Sequence, residues 1–451
     1  MNKKTLTIYF ILSLVILTGG CSAFSDFKGV IFKDKKTAEG KRIPILQAES
    51  DLTPSAELKD AQMNLPESWV NESWPQTGGY PNHAMGQLEL GRKLKKVWSA
   101  YIGSDSYDFN PLVISPIAVK HTVFTLDNRS QLSAFKLSDG SLKWRFSLKP
   151  KDENKGNIGG GLAYAEGRLF ITNGYKQLIC ANPDTGKLIW KTPLPSPARS
   201  APTVSEGKVY LITLNNQLMV FSTADGSLLW NYSGINNTTN LLGSSTPAVQ
   251  PSLVVLPLSS GELIGLRPEN GQVVWGDNIS ASSRTDTLFS ISDIKGMPVI
   301  DQGTIYASSF SGRLVAIDEV SGQRLWQQKI GSSEMLWSAG DALFVINNDQ
   351  HLIALNRQTG AVYWIKELQP KEKNKKLNTQ AWKGPVFAGG RLIIASTKGR
   401  VLEIDPQTGK ILNSFKTEDG VVVTPIVANN TLLLLTEEGE LIAYRSKKGK
   451  K

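Results

Sequence analysis

The chain has 451 residues, 40% hydrophobic and 20% charged, with 40 Gly, 22 Pro and a formal net charge of +10. That length allows a large core or several domains, and the composition excludes a low-complexity chain. Cys21 and Cys180 are the only cysteines and His83, His121 and His351 lie far apart, which argues against a structural disulfide and a metal site; the scattered Lys and Arg argue against nucleic acid.

The chain opens with "MNKKTLTIYFILSLVILTGGC": a basic start at Lys3 and Lys4, an apolar run from about Leu6 to Leu17, then small residues and Cys21. This predicts a secretory leader over 1–20, too short and wrongly flanked for a lasting membrane helix. "LTGGC" resembles a bacterial lipoprotein cleavage box with Cys21 as the lipidated first mature residue, although Thr18 stands where the large apolar residue usually sits and Leu17 is one step back. Ordinary cleavage near Gly19 or Gly20 is the alternative. Ser22 after the cysteine implies sorting to the outer membrane, held by several acyl chains. Residues 21–69 carry "KDKK", Pro44, Pro54 and Pro66 with little periodicity, and read as a tether with one short ordered piece. The folded body is expected over 70–451.

Within that body a pattern recurs. "LSAFKLSDGSLKW" ends at Trp144, "LICANPDTGKLIW" at Trp190, "LMVFSTADGSLLW" at Trp230, "LIGLRPENGQVVW" at Trp275, "LVAIDEVSGQRLW" at Trp326 and "LIALNRQTGAVYW" at Trp364. "VLEIDPQTGKILN" keeps the turn but places Asn413 at the tryptophan position; the spacings are 46, 40, 45, 51, 38 and 49 residues. Each copy is preceded by two more short apolar segments with a turn between them, such as "SAPTVSEGKVYLI", so one unit holds four strands. The last unit ends at "GELIAYR" without a fourth strand, whereas "LKKVWSA", ending near Trp98, is a fourth strand without a unit. The prediction is an all-β, eight-bladed propeller of four-stranded antiparallel blades, with repeats over about 111–445 and a closing strand over about 93–99 that removes the open edge.

The turn glycine is required where φ is positive, and Asn182, Asp184 and their equivalents can hydrogen-bond the turn backbone. Trp98, Trp144, Trp190, Trp230, Trp275, Trp326 and Trp364 recur too regularly for a ligand cage and are expected to pack between blades, each indole N–H finding a partner. Asn413 marks a junction that is weaker or packed by another group. Cys180, in an alternating strand, reads as an inert buried thiol.

The tryptophan repeat, with "WPQTGGYPNHAMGQL" ahead of the closing strand, resembles pyrroloquinoline-quinone dehydrogenases, which would imply calcium and an Asp base. Those enzymes also carry adjacent half-cystines and large inserts, and this chain has no adjacent cysteines and little room for inserts. No phosphate loop, nucleophile elbow or H-E-x-x-H is present, and Asp286, Asp293, Asp301 and Asp318 read as turn or surface groups. No enzyme, cofactor or metal is expected.

The leader, tether and eight tryptophan-type blades together resemble the BamB family, the propeller lipoproteins of the outer-membrane β-barrel assembly machinery; "WPQTGGYPNHAMG" and "ISDIKGMPVID" are similar to its α-proteobacterial versions. The resemblance implies a non-catalytic scaffold, lipid-anchored on the periplasmic face of the outer membrane. It would bind the periplasmic repeat domains of the central barrel-inserting subunit and aid substrate barrels. It also implies two contact positions: Arg199 in "PSPARSAPT" and Asp293 in "SISDIKGMP", where Lys295 replaces the family's second acidic residue; since an unpaired buried arginine is costly, a solvent-facing Arg199 in the free protein would fit partner binding. A chaperone-like alternative is open, in which exposed blade edges add a strand from an unfolded β chain.

Overall fold

The computed structural model describes residues 52–103, 112, 114–153, 159–234, 245–280, 293–369 and 380–446, and every structural statement below concerns these. The leader, Cys21 and Asp286 lie outside them. The strands form eight four-stranded sheets. Blade 1 consists of Ile117–Val119, Thr122–Leu126, Gln131–Lys136 and Leu142–Ser147, hydrogen-bonded in that order. Blades 2 to 7 repeat this over residues 160–193, 203–233, 248–278, 299–328, 337–367 and 382–416. Blade 8 takes three strands from 426–446 and its outer strand, Leu94–Tyr101, from the other end of the chain, in antiparallel register with Trp98 opposite Ala443 and Tyr101 opposite Glu440. The predicted ring closure is therefore present.

Second and third strands are buried on both faces between neighbouring blades, as in Leu253–Pro257 and Thr431–Leu435, so they are near-continuous apolar runs. Outer strands alternate half-buried and exposed residues, as in Leu188–Pro193. All eight carry a β-bulge at one place: the register slips so that the residue before the tryptophan position is unpaired, for example Ile189 between the Cys180–Trp190 and Ala181–Leu188 pairs. The bulge turns the indole toward the next blade, and in blades 2, 3, 4 and 7 it leaves two consecutive apolar residues exposed, such as Leu188 and Ile189.

Each indole then docks on the third-to-outer corner of the following blade. Trp98 Nε1 donates to Leu137 O, Trp144 to Pro183 O, Trp190 to Thr223 O and Trp230 to Pro268 O, at 2.9–3.1 Å. Trp275, Trp326 and Trp364 donate to Glu319 O, Arg357 O and Pro406 O over the same range. The corner glycine is needed twice over. Gly226 has φ +73°, and a Cβ there would lie 2.6 Å from the Trp190 ring. In blade 2 the corner is held by Asn182 Oδ1, which accepts from the Asp184 and Thr185 amides at 2.9 and 3.0 Å. Under each indole the third strand carries a small or β-branched residue; beneath Trp190 it is Cys180, a buried free thiol whose pKa burial raises to about 11.

The segment between the tether and the closing strand meets the inner strands of all eight blades in ring order. Asn71 Nδ2 donates to Val427 O of blade 8 at 2.7 Å, and Trp74 exchanges both backbone hydrogen bonds with Ala118 of blade 1. Pro75 O accepts from Tyr164 N of blade 2, Gln76 Oε1 from Val204 N of blade 3, Pro81 O from Val249 N of blade 4 and Asn82 O from Ile300 N of blade 5. Gly86 O accepts from Trp337 Nε1 of blade 6, and Leu88 N donates to Phe387 O of blade 7. The inner strands are sheet edges, and this strap satisfies their free backbone groups one blade at a time. Contact also extends into the stretch read as tether. Ser55 N donates to Val362 O of blade 6, and the Gln407 amide of blade 7 bonds both N and O of Met63, so the chain from Leu52 lies against the ring. Pairing through isolated groups needs no periodic pattern, which is why the sequence shows none.

His83 is the buried titratable group of the strap. Its Nδ1 lies 2.7 Å from Pro298 O and its Nε2 3.1 Å from Thr246 Oγ1, and burial lowers its pKa from 6.5 to about 4. Folding disfavours its protonated form, so its contribution is complete above the unfolded value and is lost as pH falls from 6.5 toward about 4, some ~3 kcal/mol in all. His83→Asn, tolerated at φ 62°, should therefore show a smaller fall in melting temperature between pH 7 and pH 5 than the parent protein; identical slopes would disprove the assignment.

Candidate functional site

The strap meets the inner strands at their middles and at the turns that follow them. The opposite ends, where the chain approaches each inner strand, carry the two contact positions expected from the sequence. Arg199 precedes the inner strand of blade 3 and Asp293 that of blade 5, and the structure brings them together: Arg199 Nη2 donates to Asp293 Oδ1. Both are buried, Arg199 at 4% exposure and Asp293 at 0%. The expectation of a solvent-facing Arg199 is corrected by this geometry. Its Nη1 donates to Asn216 Oδ1 of blade 3 at 3.2 Å, and Asn216 Nδ2 passes the bond to Ser259 Oγ of blade 4 at 2.6 Å. Two charges that would be costly to bury singly are buried as a hydrogen-bonded pair. Asp293 is thus an ion-pair partner rather than a lone turn group, and its carbonyl accepts from Phe310 N.

Lys295, where the resemblance implies a second acid, is half-buried. Its pKa is lowered, first by burial and then by the neighbouring Lys383, against the opposing pull of Glu334 and Asp293. Lys383 is itself held by Glu334 at 2.8 Å. Of these five charges Arg199 is paired with Asp293 and Lys383 with Glu334, which leaves Lys295 without an ion-pair partner among the described residues. Glu334, in a connection, and Lys383, in the inner strand of blade 7, were missed from sequence because neither belongs to a motif; only the ring puts them beside Lys295.

The other singled-out residues have structural roles. Asp318 holds its corner by accepting from Ser321 N and Oγ at 2.8 and 2.7 Å, and Asp301 pairs with Arg357 at 2.7 Å. The seven tryptophans are each engaged with a neighbouring blade. Among the described residues no three of His, Cys, Asp and Glu gather where they could hold a metal ion.

Comparison with known proteins bears on the family and the fold. A family profile described as outer membrane protein assembly factor BamB matches residues 96–366 and 370–451. The outer membrane protein assembly factor BamB of Yersinia pestis is 26% identical over 356 residues, 77% of this chain and 88% of its own. The crystal structure of BamB from Moraxella catarrhalis superposes with a TM-score of 0.66 at 21% identity, covering 78% of this chain and all of that one. The quinohemoprotein alcohol dehydrogenase of Comamonas testosteroni gives 0.65 at 11% identity, covering 84% and 82%. At such identities these two superpositions speak for the fold alone, whereas the profile match extends over most of the ring. The chain belongs to the BamB family of outer-membrane protein assembly factors, which are scaffolds rather than enzymes.

Proposed function

We propose that this scaffold works on the periplasmic side of the outer membrane by docking the end of blades 3 to 7 around Lys295 onto the periplasmic repeat domains of the central barrel-inserting subunit. Anchoring through a lipidated Cys21 belongs to the same reading, as does aid to nascent barrels on their way to that subunit. The observation that carries it is the convergence of Arg199 with Asp293 and Lys295, about 94 residues away in sequence, on one end of the ring. In this reading Arg199 and Asp293 act from below, holding the approaches to blades 3 and 5 in place, and Lys295 with Lys383 supplies the accessible charge. The partner should therefore present a carboxylate where the family's second acid would have called for a cation.

Arg199 is a poor probe, because its removal leaves Asp293 buried without a counter-charge. Lys295→Glu is the better test, carried out by co-purification from detergent-solubilised envelopes. The parent protein should bring down the central subunit, and the variant about tenfold less of it while keeping the far-UV circular dichroism of the folded parent. Recovery of no barrel-assembly component by the parent would overturn the function. Undiminished capture by the variant would remove Lys295 from the interface.

A further inference from the structure

The bulged outer strands leave apolar pairs exposed around the rim, among them Leu188–Ile189, Leu228–Leu229 and Val273–Val274. One place on this rim differs in charge. Between blades 1 and 2 lies a groove of about 470 Å³ that carries Phe146 and Leu188 on its apolar surface and Lys149, Lys151, Lys187 and Lys191 around it. All four lysines are exposed, none has an ion-pair partner among the described residues, and no carboxylate lines the groove. The carboxylates nearest in sequence, Asp152, Glu153 and Asp184, are not part of its wall. The comparable groove between blades 4 and 5 sets Arg267 beside Glu269 and Glu319, so lysine without acid is not a general property of the rim.

Four like charges around an apolar surface repel one another and leave that surface wet, and both costs fall when an apolar chain bearing carboxylates covers it. The outer strands on either side, Leu142–Ser147 and Leu188–Pro193, are hydrogen-bonded on one side only. We propose that this groove docks an extended acidic segment of another polypeptide, its apolar side chains on Phe146 and Leu188 and its carboxylates on the four lysines. The concave shape and the adjoining strand edges favour a chain over a flat anionic membrane. The site is separate from the end of blades 3 to 7, and its test does not depend on docking there.

The test uses the folded, leader-free full chain and a fluorescent peptide of roughly ten residues alternating valine with glutamate, followed by anisotropy. A lysine-for-glutamate peptide and vesicles containing phosphatidylglycerol serve as the other probes. The glutamate peptide should bind, more weakly as salt rises from about 0.05 to about 0.3 M. Lys187→Glu combined with Lys191→Glu should weaken binding at least about tenfold with no change in melting temperature, both side chains being exposed. The proposal fails if the glutamate peptide does not bind, if the lysine peptide binds equally well, if the double variant binds as the parent does, or if only the vesicles are bound.

Discussion

Arg391→Ala is expected to destabilise the ring by about 3–5 kcal/mol, the scale of breaking a buried ion pair by removing one partner. Arg391 Nε donates to Glu403 Oε2 at 2.7 Å, and both residues are at most 4% exposed. Glu403 occupies the third-strand position that holds Ala134, Cys180, Val220, Gly265, Ala316, Ala354 or Ala443 in the other blades, and it faces Asn413 across the sheet. The exception has a topological cause. A tryptophan at 413 would dock on the third-to-outer corner of blade 8, and that corner is where the ring joins Ser446 to Leu94 with no turn between them. Among the described residues no turn leads from the third strand of blade 8 into its outer strand, which arrives instead from before Leu94. The junction is packed instead by Phe415 against Tyr444, with ring centroids 4.9 Å apart. The guanidinium meanwhile donates from Nη2 to Gly91 O at 2.8 Å, fixing the chain just before the closing strand. Removing Arg391 would leave a buried carboxylate and free the closing segment together. Denaturant unfolding of Arg391→Ala, beside Arg391→Met combined with Glu403→Leu, separates the two effects. The double variant should recover much of the loss, because it leaves no stranded charge. A loss in the single variant below about 1 kcal/mol would remove the pair from ring closure.

The blade count, the closing strand and the corner motif were legible because each repeats, and a repeat exposes its own exceptions: Asn413 and the unpaired strand at Trp98 were both visible as breaks in a series. What replaced the tryptophan was not legible, since Arg391 and Glu403 look like any charged pair until the strand register sets Glu403 beneath position 413. Arg199 and Asp293 were legible as positions but not as a pair. They are 94 residues apart, and only the ring brings the segment before blade 5 to an arginine of blade 3. The strap was recognisable as a segment preceding the closing strand, but its route was not, because it meets the blades through one or two groups at a time. The lysines of the blade 1–2 groove looked scattered in sequence for a related reason: Lys149 and Lys151 face Lys187 and Lys191 only once the two blades are adjacent.

At an ordinary junction, Trp190→Ala should cost about 3 kcal/mol, the lower end for a large aromatic because the ring is half-buried. The loss combines its bond to Thr223 O, its contact with Phe170 at 6.0 Å and its cover over the blade 3 corner. Gly226→Ala should cost about 2–3 kcal/mol for two reasons: a left-handed backbone position, and a Cβ placed 2.6 Å from both the Trp190 ring and Thr192 Oγ1. The second reason depends on Trp190 being there. In the double variant the methyl group enters space the indole has vacated, so the combined loss should fall short of the sum by about 1–2 kcal/mol. Strict additivity would mean that indole and corner are stabilised independently, contrary to the packing. The same cycle at Trp364 and Gly409 should behave alike, since a Cβ at Gly409 would lie 2.8 Å from that ring. At position 413 no such cycle can be built, because Asn413 stands where the tryptophan would be.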